Sequence, residues 1–167
     1  MKSESDELYG YLDSDWAGSL DDMKSTSGYV FSFGYGVFSW NSKKQDIVVQ
    51  SSAEVEYVST AAATNQAIWL RKMLNDLGMQ QSQTTVIFCD NKSAISIAKN
   101  PVQHGRMKHI NVKFHAIREA EKNGEVQLVH CMSKEQLADI LTKALPKAKF
   151  EFLRANLGVS KQNLKEK

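Results

Sequence analysis

The chain has 167 residues, of which 42% are hydrophobic and 24% are charged. This composition predicts one globular domain whose core needs neither a disulfide nor a metal. The net charge of +2 is too small to indicate a nucleic-acid-binding protein. No run reaches the about 20 apolar residues of a membrane span, and the polar start is unlike a signal peptide. Because Cys89 and Cys131 lie in apolar runs, we expect two buried, reduced thiols in an intracellular protein.

Three strands are expected at the start of the chain. Residues 8–13 form an apolar-rich run that ends at an acidic residue. Two aromatic and β-branched runs follow at 28–33 and 37–40, separated by Gly34-Tyr35-Gly36, which is a hairpin signal. These three runs therefore predict an antiparallel meander.

The rest of the chain alternates between helical and extended patterns. A capping box formed by Ser51 and Glu54 predicts the start of one long helix, and Gly78 predicts its end. The later predicted elements are a strand at 85–89, helices at 91–99 and 110–122, a strand at 125–131, and two short helices beginning near 137 and 150. A second capping box, Ser133-Lys134-Glu135-Gln136, precedes the first of these short helices, whose apolar stripe is formed by Leu137, Ile140, Leu141 and Ala144. This order predicts an α/β fold in which helices flank a mixed five-stranded sheet. The predicted domain is 8–158, with a flexible start (1–7) and a flexible tail (159–167).

Four acidic residues lie where predicted elements begin or end. Asp13 and Asp90 end apolar strands, Glu56 lies near the start of the long helix, and Asp139 lies beside the apolar stripe of a short helix. If the first and fourth strands are neighbours, Asp13 and Asp90 meet at the carboxyl edge of the sheet. Clustered carboxylates are typical ligands of Mg²⁺. Two such ions about 4 Å apart are the usual device for hydrolysing a phosphodiester.

Three of these acids also have an ordinary structural explanation: Asp13 as the start of a turn, Asp90 as a helix cap and Asp139 as an exposed helix residue. Glu54 has a role in the capping box, so Glu56 is the better candidate ligand. The spacing does not decide which of Asp13 and Asp15 is the metal ligand, because residues two apart on a strand point to the same side. Asp15 is therefore a further candidate metal ligand, or a residue that supports the site by hydrogen bonding.

Ordered motifs run through most of the chain: YLDSDWAG (11–18), KSTSGYVF (24–31), SWNSKKQ (39–45), SSAEVEY (51–57), CDNKSA (89–94), KHI (108–110) and QLADILTK (136–143). Together they resemble the ribonuclease H domains of copia-type long-terminal-repeat retrotransposon polyproteins. The resemblance implies the ribonuclease H-like fold and cleavage of the RNA strand of RNA–DNA hybrids. It also implies two Mg²⁺ ions, with Mn²⁺ as a substitute, held by Asp13, Glu56, Asp90 and Asp139.

Contacts with the hybrid are expected from polar and basic residues near these motifs. The candidates are Lys43, Lys44, Asn91, Lys92, Arg106, Lys108 and Lys143. For each lysine or arginine, a solvated surface position is an equally good interpretation. Hybrid duplexes are recognised by groove shape, phosphates and 2′-hydroxyls, so we expect little sequence preference.

Many ribonucleases H carry a mobile histidine about ten residues before the last acid, and Val129 occupies that position here. His130 is the nearest histidine, but its strand-like surroundings favour a structural role over an auxiliary catalytic one. His109 follows a basic stretch and is a weaker auxiliary candidate.

The expected partners are the RNA–DNA hybrid and the reverse transcriptase domain of the same polyprotein, with no membrane association and a monomeric isolated domain. The expected location is the cytoplasm, within virus-like particles, or the nucleus. The competing hypothesis is a catalytically weak or domesticated domain that binds the hybrid or contacts reverse transcriptase. A magnesium nuclease of integrase or exonuclease type is a weaker alternative, because the long helix between the third and fourth strands favours ribonuclease H.

Overall fold

The computed structural model describes residues 7–16, 23–46, 52–99 and 108–160, with side chains except at 53, 97 and 108–114. The strands are β1 (Leu8–Asp15), β2 (Thr26–Phe33), β3 (Gly36–Lys44), β4 (Thr85–Cys89) and β5 (Val126–His130). The helices are α1 (Ser52–Asp76), α2 (Lys92–Lys99), α3 (Lys108–Lys122), a 3-10 helix (Leu137–Leu141) and α4 (Lys147–Asn156). None of the helices in these ranges is long and apolar enough to cross a membrane.

The strands form one mixed sheet in the order β3-β2-β1-β4-β5. The pairs β1–β2 and β2–β3 are antiparallel, whereas β4 is parallel to both β1 and β5. The first and fourth strands are therefore neighbours, as expected from the sequence. Tyr11 of β1 lies opposite Phe88 of β4, so these two strands end at the same edge of the sheet. The predicted α/β fold is confirmed.

The core lies between the sheet and helices α1 and α3. From β1 it takes alternate residues, Leu8 and Leu12, because successive strand side chains point to opposite faces. Helix α1 presents small residues to the core, including Ala63 and Ala67, which leave room for the sheet to approach closely. Both cysteines are free and buried, as predicted.

The segment around Asp139 differs from its predicted form. The second capping-box pattern, at Ser133, predicted an amphipathic helix with an apolar stripe, but the chain forms only a five-residue 3-10 helix. Its buried residues are Ala138 and Asp139, whereas Ala144 of the predicted stripe is exposed. The cause is Gln136, whose amide accepts a hydrogen bond from the Ala138 N–H and donates one to the Leu12 carbonyl at 2.8 Å. Gln136 thereby fixes the short helix to β1.

The other predicted bounds differ by a few residues. Strands β1 to β3 extend beyond their apolar runs, because the added residues continue the backbone pairing with their neighbours. Ser51 lies outside the described residues, so the first capping box stays a prediction. The predicted start and tail also lie largely outside, at 1–6 and 161–167.

Candidate metal centre

Three carboxylates meet at the carboxyl edge of the sheet. Asp13 lies near the end of β1, Asp90 directly follows β4, and Glu56 lies in the first turns of α1. Each of the three offers one oxygen, and these oxygens all lie within 4.8 Å of one another. The structure thus brings together three of the four predicted ligands. Asp15, two residues further along β1, is half-buried and is not in this group.

Two of these carboxyl groups are almost completely removed from solvent. Asp13 is 1% and Glu56 is 3% exposed. Burial raises the pKa of Glu56 to about 7, a hydrogen bond from Ser14 opposes the rise, and the charge of Asp13 adds to it. Burial likewise raises the pKa of Asp13 to about 6, against the opposing effects of Thr142 and Lys143. Ionised carboxylates so placed are stabilised by a cation, so this donor set fits a hard divalent ion such as Mg²⁺.

Neutral donors hold Glu56 in place. The Ser14 hydroxyl donates to Glu56 Oε2, and the Cys89 thiol donates to Glu56 Oε1 at 3.2 Å. Burial and the nearby Glu56 charge raise the pKa of Cys89, so this residue is a thiol donor and not a thiolate.

Helix α2 is capped by Asn91, whose Oδ1 accepts from the Ala94 N–H at 3.0 Å. The capping hydrogen bond of α2 is therefore made by Asn91, and not by Asp90 as the alternative interpretation expected.

The fourth predicted ligand, Asp139, occupies a different environment. It is 2% exposed, and Lys143 and Lys149 donate to its two oxygens at 2.8 and 2.5 Å. Burial would raise the pKa of Asp139, but the hydrogen bonds from the two lysines outweigh burial and lower it. Lys143 also donates to Asp13 Oδ1 at 3.0 Å, so its ammonium group joins Asp139 to the three-carboxylate group.

Asp13 is further tied to the 3-10 helix by Thr142, whose hydroxyl donates to Asp13 Oδ2. Both Asp13 oxygens therefore accept hydrogen bonds from residues that follow this helix. The close approach of the helix to β2 depends on Gly28, since a Cβ there would lie 2.8 Å from Thr142 Cγ2. The 3-10 helix thus positions Asp13 as well as Asp139.

An open cleft surrounds the carboxylates. Several predicted substrate-binding or auxiliary residues line it, namely Asn91, Lys92, His130 and Lys143. His130 ends β5 and lies opposite Cys89 of β4, so it is one strand away from Asp90. The exposed indole of Trp16 also lines the cleft and was not predicted.

The remaining predicted contacts lie elsewhere. Lys43 lines a neighbouring pocket between β3 and α1, and its ammonium pairs with Asp46 at 3.2 Å. Lys44 is exposed at the end of β3. Lys108 and His109 begin α3, where their side chains are not described, and Arg106 lies outside the described residues. Their roles stay predictions.

Residues that organise the site were missed by the sequence interpretation. Ser14, Cys89, Thr142 and Lys149 all donate to the carboxylates but were not predicted to do so. No local signal existed for Thr142, because its hydroxyl donates to Asp13, 129 residues away in sequence. None existed for Lys149 either, because Pro146 separates it from Asp139 in sequence.

Comparison with known proteins adds the family context. No protein-family model matches the chain. The chain is 44% identical over 154 residues to the retrovirus-related Pol polyprotein from transposon RE2 of Arabidopsis thaliana, and 40% identical over 152 residues to that from transposon TNT 1-94 of Nicotiana tabacum. These matches cover 92% and 91% of the chain but only 11% of each polyprotein. The chain therefore spans about a tenth of the length of these relatives.

Solved structures agree on the fold. LC11-RNase H1 in complex with an RNA/DNA hybrid is similar with a TM-score of 0.56 and 14% identity, covering 81% of this chain and 94% of that chain. The prototype foamy virus protease-reverse transcriptase is similar with a TM-score of 0.57 and 15% identity, covering 98% of this chain and 22% of that one. At such identities the likeness shows the fold alone, which is ribonuclease H-like. The predicted resemblance to ribonuclease H regions of copia-type polyproteins is confirmed.

Proposed function

We propose that this chain, a homologue of copia-type transposon Pol polyproteins with the ribonuclease H-like fold, is an endoribonuclease that cuts the RNA strand of RNA–DNA hybrids. The observation that carries the proposal is the convergence of Asp13, Glu56 and Asp90, with ligand oxygens within 4.8 Å, at the carboxyl edge of that fold. The similar fold by itself does not indicate this activity, because one fold hosts many functions.

The chain's own residues prepare the site for phosphodiester hydrolysis. Divalent ions bound there would lower the pKa of an attacking water and stabilise the leaving 3′ oxygen. Asp13, Glu56 and Asp90 would hold the first cation position, and Asp13 with Asp139 the second. The hydrogen bonds from Ser14, Cys89 and Thr142 fix the directions of the carboxylates before substrate arrives. The products would carry a 5′ phosphate and a 3′ hydroxyl.

The open cleft supports the proposal that a duplex lies across the carboxylates. Lys92 and Asn91 follow Asp90 directly and line the cleft, where they would contact a phosphate or a 2′-hydroxyl. His130 ends the adjacent strand and is exposed, which supports an auxiliary role in water or product movement. Lys43 and Lys44 would contact the duplex further from the scissile phosphate.

The polyprotein relatives support proposals about the partner and the site of action. The reverse transcriptase domain of the same polyprotein would be a partner, and the similarity to a protease-reverse transcriptase chain supports this arrangement. The site of action would be the cytoplasm, in virus-like particles, with the nucleus as the alternative. As an isolated domain the chain would be monomeric.

The direct experiment is incubation with an RNA–DNA hybrid labelled on the RNA strand, with Mg²⁺ or Mn²⁺, beside double-stranded RNA and double-stranded DNA. We expect cutting of the RNA strand of the hybrid alone. Hybrid binding without cutting by the wild-type protein would support the competing hypothesis of a binding domain. Cutting that requires added reverse transcriptase would support the partnership.

A further inference from the structure

Two lysines already supply positive charge at one side of the carboxylate centre. The ammonium group of Lys143 lies 3.0 Å from Asp13 Oδ1 and 2.8 Å from Asp139 Oδ1. The ammonium group of Lys149 lies 2.5 Å from Asp139 Oδ2. Both oxygens of Asp139 therefore accept a hydrogen bond from a cation, and Asp13 shares one of these cations with it.

The other side of the centre has a different character. The hydrogen bonds to Glu56 come from the Ser14 hydroxyl and the Cys89 thiol, which are neutral donors. Among the described residues, no ion pair to Glu56 or Asp90 is formed. Glu56 and Asp90 thus have no cation beside them among the described contacts, whereas the position between Asp13 and Asp139 already holds the ammonium group of Lys143.

We propose that Lys143 is a positioning residue that fills the second cation position, so that divalent ions bind in two unequal steps. This inference deepens the proposed function and rests on it for the claim that two ions bind. The first ion binds at Asp13, Glu56 and Asp90 without displacing a charged group. The second ion binds between Asp13 and Asp139 only in exchange for the ammonium group of Lys143.

The side chain of Lys143 can move into the open cleft when it is displaced from the carboxylates. Its side chain is 33% exposed and lines the open cleft, on the side where a phosphodiester would lie in the proposed function. An ammonium group released from Asp13 and Asp139 would therefore meet a phosphate oxygen within the same cleft. Substrate and the second ion would then favour the same position of Lys143, and each would promote binding of the other.

Lys149 provides a matched comparison. It is similarly exposed, at 35%, and pairs with Asp139, but among the described contacts it does not reach Asp13. Removing Lys149 changes the charge of the site by the same amount while leaving Lys143 between the two carboxylates. The exchange therefore depends on the position of Lys143 as well as on its charge.

The test is a titration of the purified protein with Mn²⁺ in the absence of nucleic acid, followed by electron paramagnetic resonance of free Mn²⁺. For the wild type we expect one tighter and one weaker site. Lys143→Met should tighten the weaker site by about tenfold or more, the scale on which neighbours of ligands alter metal affinity. Lys143→Arg should retain the wild-type isotherm because it keeps the charge, and Lys149→Met should change it by less than Lys143→Met.

Isotherms of Lys143→Met and wild type that coincide would overturn the inference, as would a larger effect of Lys149→Met. If Lys143→Met does not fold, as judged by circular dichroism, a Lys143→Arg isotherm tighter at the weaker site would overturn it equally. Hybrid cleavage by the wild type is measured separately. Unequal Mn²⁺ sites that respond to Lys143, in a protein that does not cut the hybrid, would contradict the proposed function and leave the metal exchange standing.

Discussion

The thiol of Cys89, the last residue of β4, donates a hydrogen bond to Glu56 Oε1 of α1 across 3.2 Å. Together with Ser14, it gives Glu56 neutral donors in a site where burial disfavours the ionised carboxylate. The contact joins the end of β4 to the start of the long helix α1. It therefore affects both the direction of the Glu56 carboxylate and the pH at which Glu56 can bind a cation.

Replacing Cys89 with alanine should raise the pKa of Glu56 further above its ordinary value. The hydrogen bonds from Ser14 and Cys89 both oppose the effect of burial, and only the one from Ser14 would remain. We expect Mn²⁺ binding at pH 7 to weaken by up to about tenfold, and the difference from wild type to shrink near pH 8.5. Calorimetric titration at several pH values measures this. Cys131→Ala is the control, since this other buried thiol contacts Gln136. A Cys89→Ala profile that superimposes on that of Cys131→Ala would refute the prediction.

Replacing Thr142 with valine removes the hydroxyl that donates to Asp13 Oδ2 and keeps the shape of the side chain. We expect about 10- to 100-fold weaker metal binding. The loss of the buried hydrogen bond should also cost about 1–3 kcal/mol of stability. Thr64→Val is a matched control, because Thr64 Oγ1 is buried and has no hydrogen-bond partner among the described residues. Denaturant unfolding and Mn²⁺ titration of both variants measure the effects, and equal losses in the two would show that the Thr142 hydroxyl has no special role.

The pH dependence of stability follows from the buried acids. Burial raises the pKa of Glu56 from 4.5 to about 7 in the folded protein, so the folded state holds this proton more tightly than the unfolded state does. The contribution of protonated Glu56 to the stability of the folded protein is fully present below about pH 4.5 and is lost as the pH rises through about 7. Asp13, with burial raising its pKa from 3.8 to about 6, acts in the same direction.

Metal-free protein should therefore show a falling melting temperature between pH 5 and pH 7.5. The effect of Glu56 is at most on the order of 3 kcal/mol, since one pKa unit corresponds to about 1.4 kcal/mol. Glu56→Gln should flatten the curve, and Mg²⁺ should restore stability at pH 7.5 by binding the folded state. Calorimetric scans in chelator and in Mg²⁺ provide the measurement. A Glu56→Gln curve as steep as that of the wild type would count against this account.

Replacing Gly28 with alanine should push the 3-10 helix away from β2. The new Cβ would lie 2.8 Å from Thr142 Cγ2 and 2.9 Å from Leu141 Cβ, distances that force a shift. We expect a loss of about 1–3 kcal/mol, as for other overpacked sites, together with weaker metal binding because Thr142 and Lys143 move with the helix. Gly36→Ala is the control, since a Cβ there meets nothing within 4 Å. Retention of wild-type stability and metal affinity by Gly28→Ala would contradict the positioning role of the helix.

The sheet could be predicted because its signals are local. The run at 85–89 is apolar and flanked by polar residues, and β4 occupies those same residues. The neighbouring placement of β1 and β4 followed from the element order, which restricts the number of possible sheets. The convergence of Asp13 and Asp90 is a direct consequence of that placement.

The choice between Asp13 and Asp15 could not be made from the sequence on physical grounds, because both lie on the same side of a strand. The structure distinguishes them by position along β1. The pairing of β1 with β4 ends at Tyr11 and Phe88, so Asp13 lies just past it, next to Asp90. Asp15 lies further out, where β1 pairs with β2 at Thr26.

The lysine pairs of Asp139 could not be predicted either. They depend on the placement of the 3-10 helix by Gln136, which binds the carbonyl of Leu12 across 124 residues of sequence. A local pattern contains no information about such a contact. The capping-box pattern at Ser133 instead pointed to a regular helix, and the buried amide of Gln136 outweighed it.

In the proposed function, the carboxylates hold the metal ions that cut the RNA strand of a hybrid. The most direct measurement of this role is cleavage by Asp90→Asn beside wild type. The substitution removes one ligand charge, and circular dichroism verifies that the fold is retained. With Mg²⁺ and a hybrid labelled on the RNA strand, we predict cutting by the wild type and a loss of more than about 100-fold in the variant. Asp90→Asn that folds and still cuts the hybrid at the wild-type rate would contradict the account.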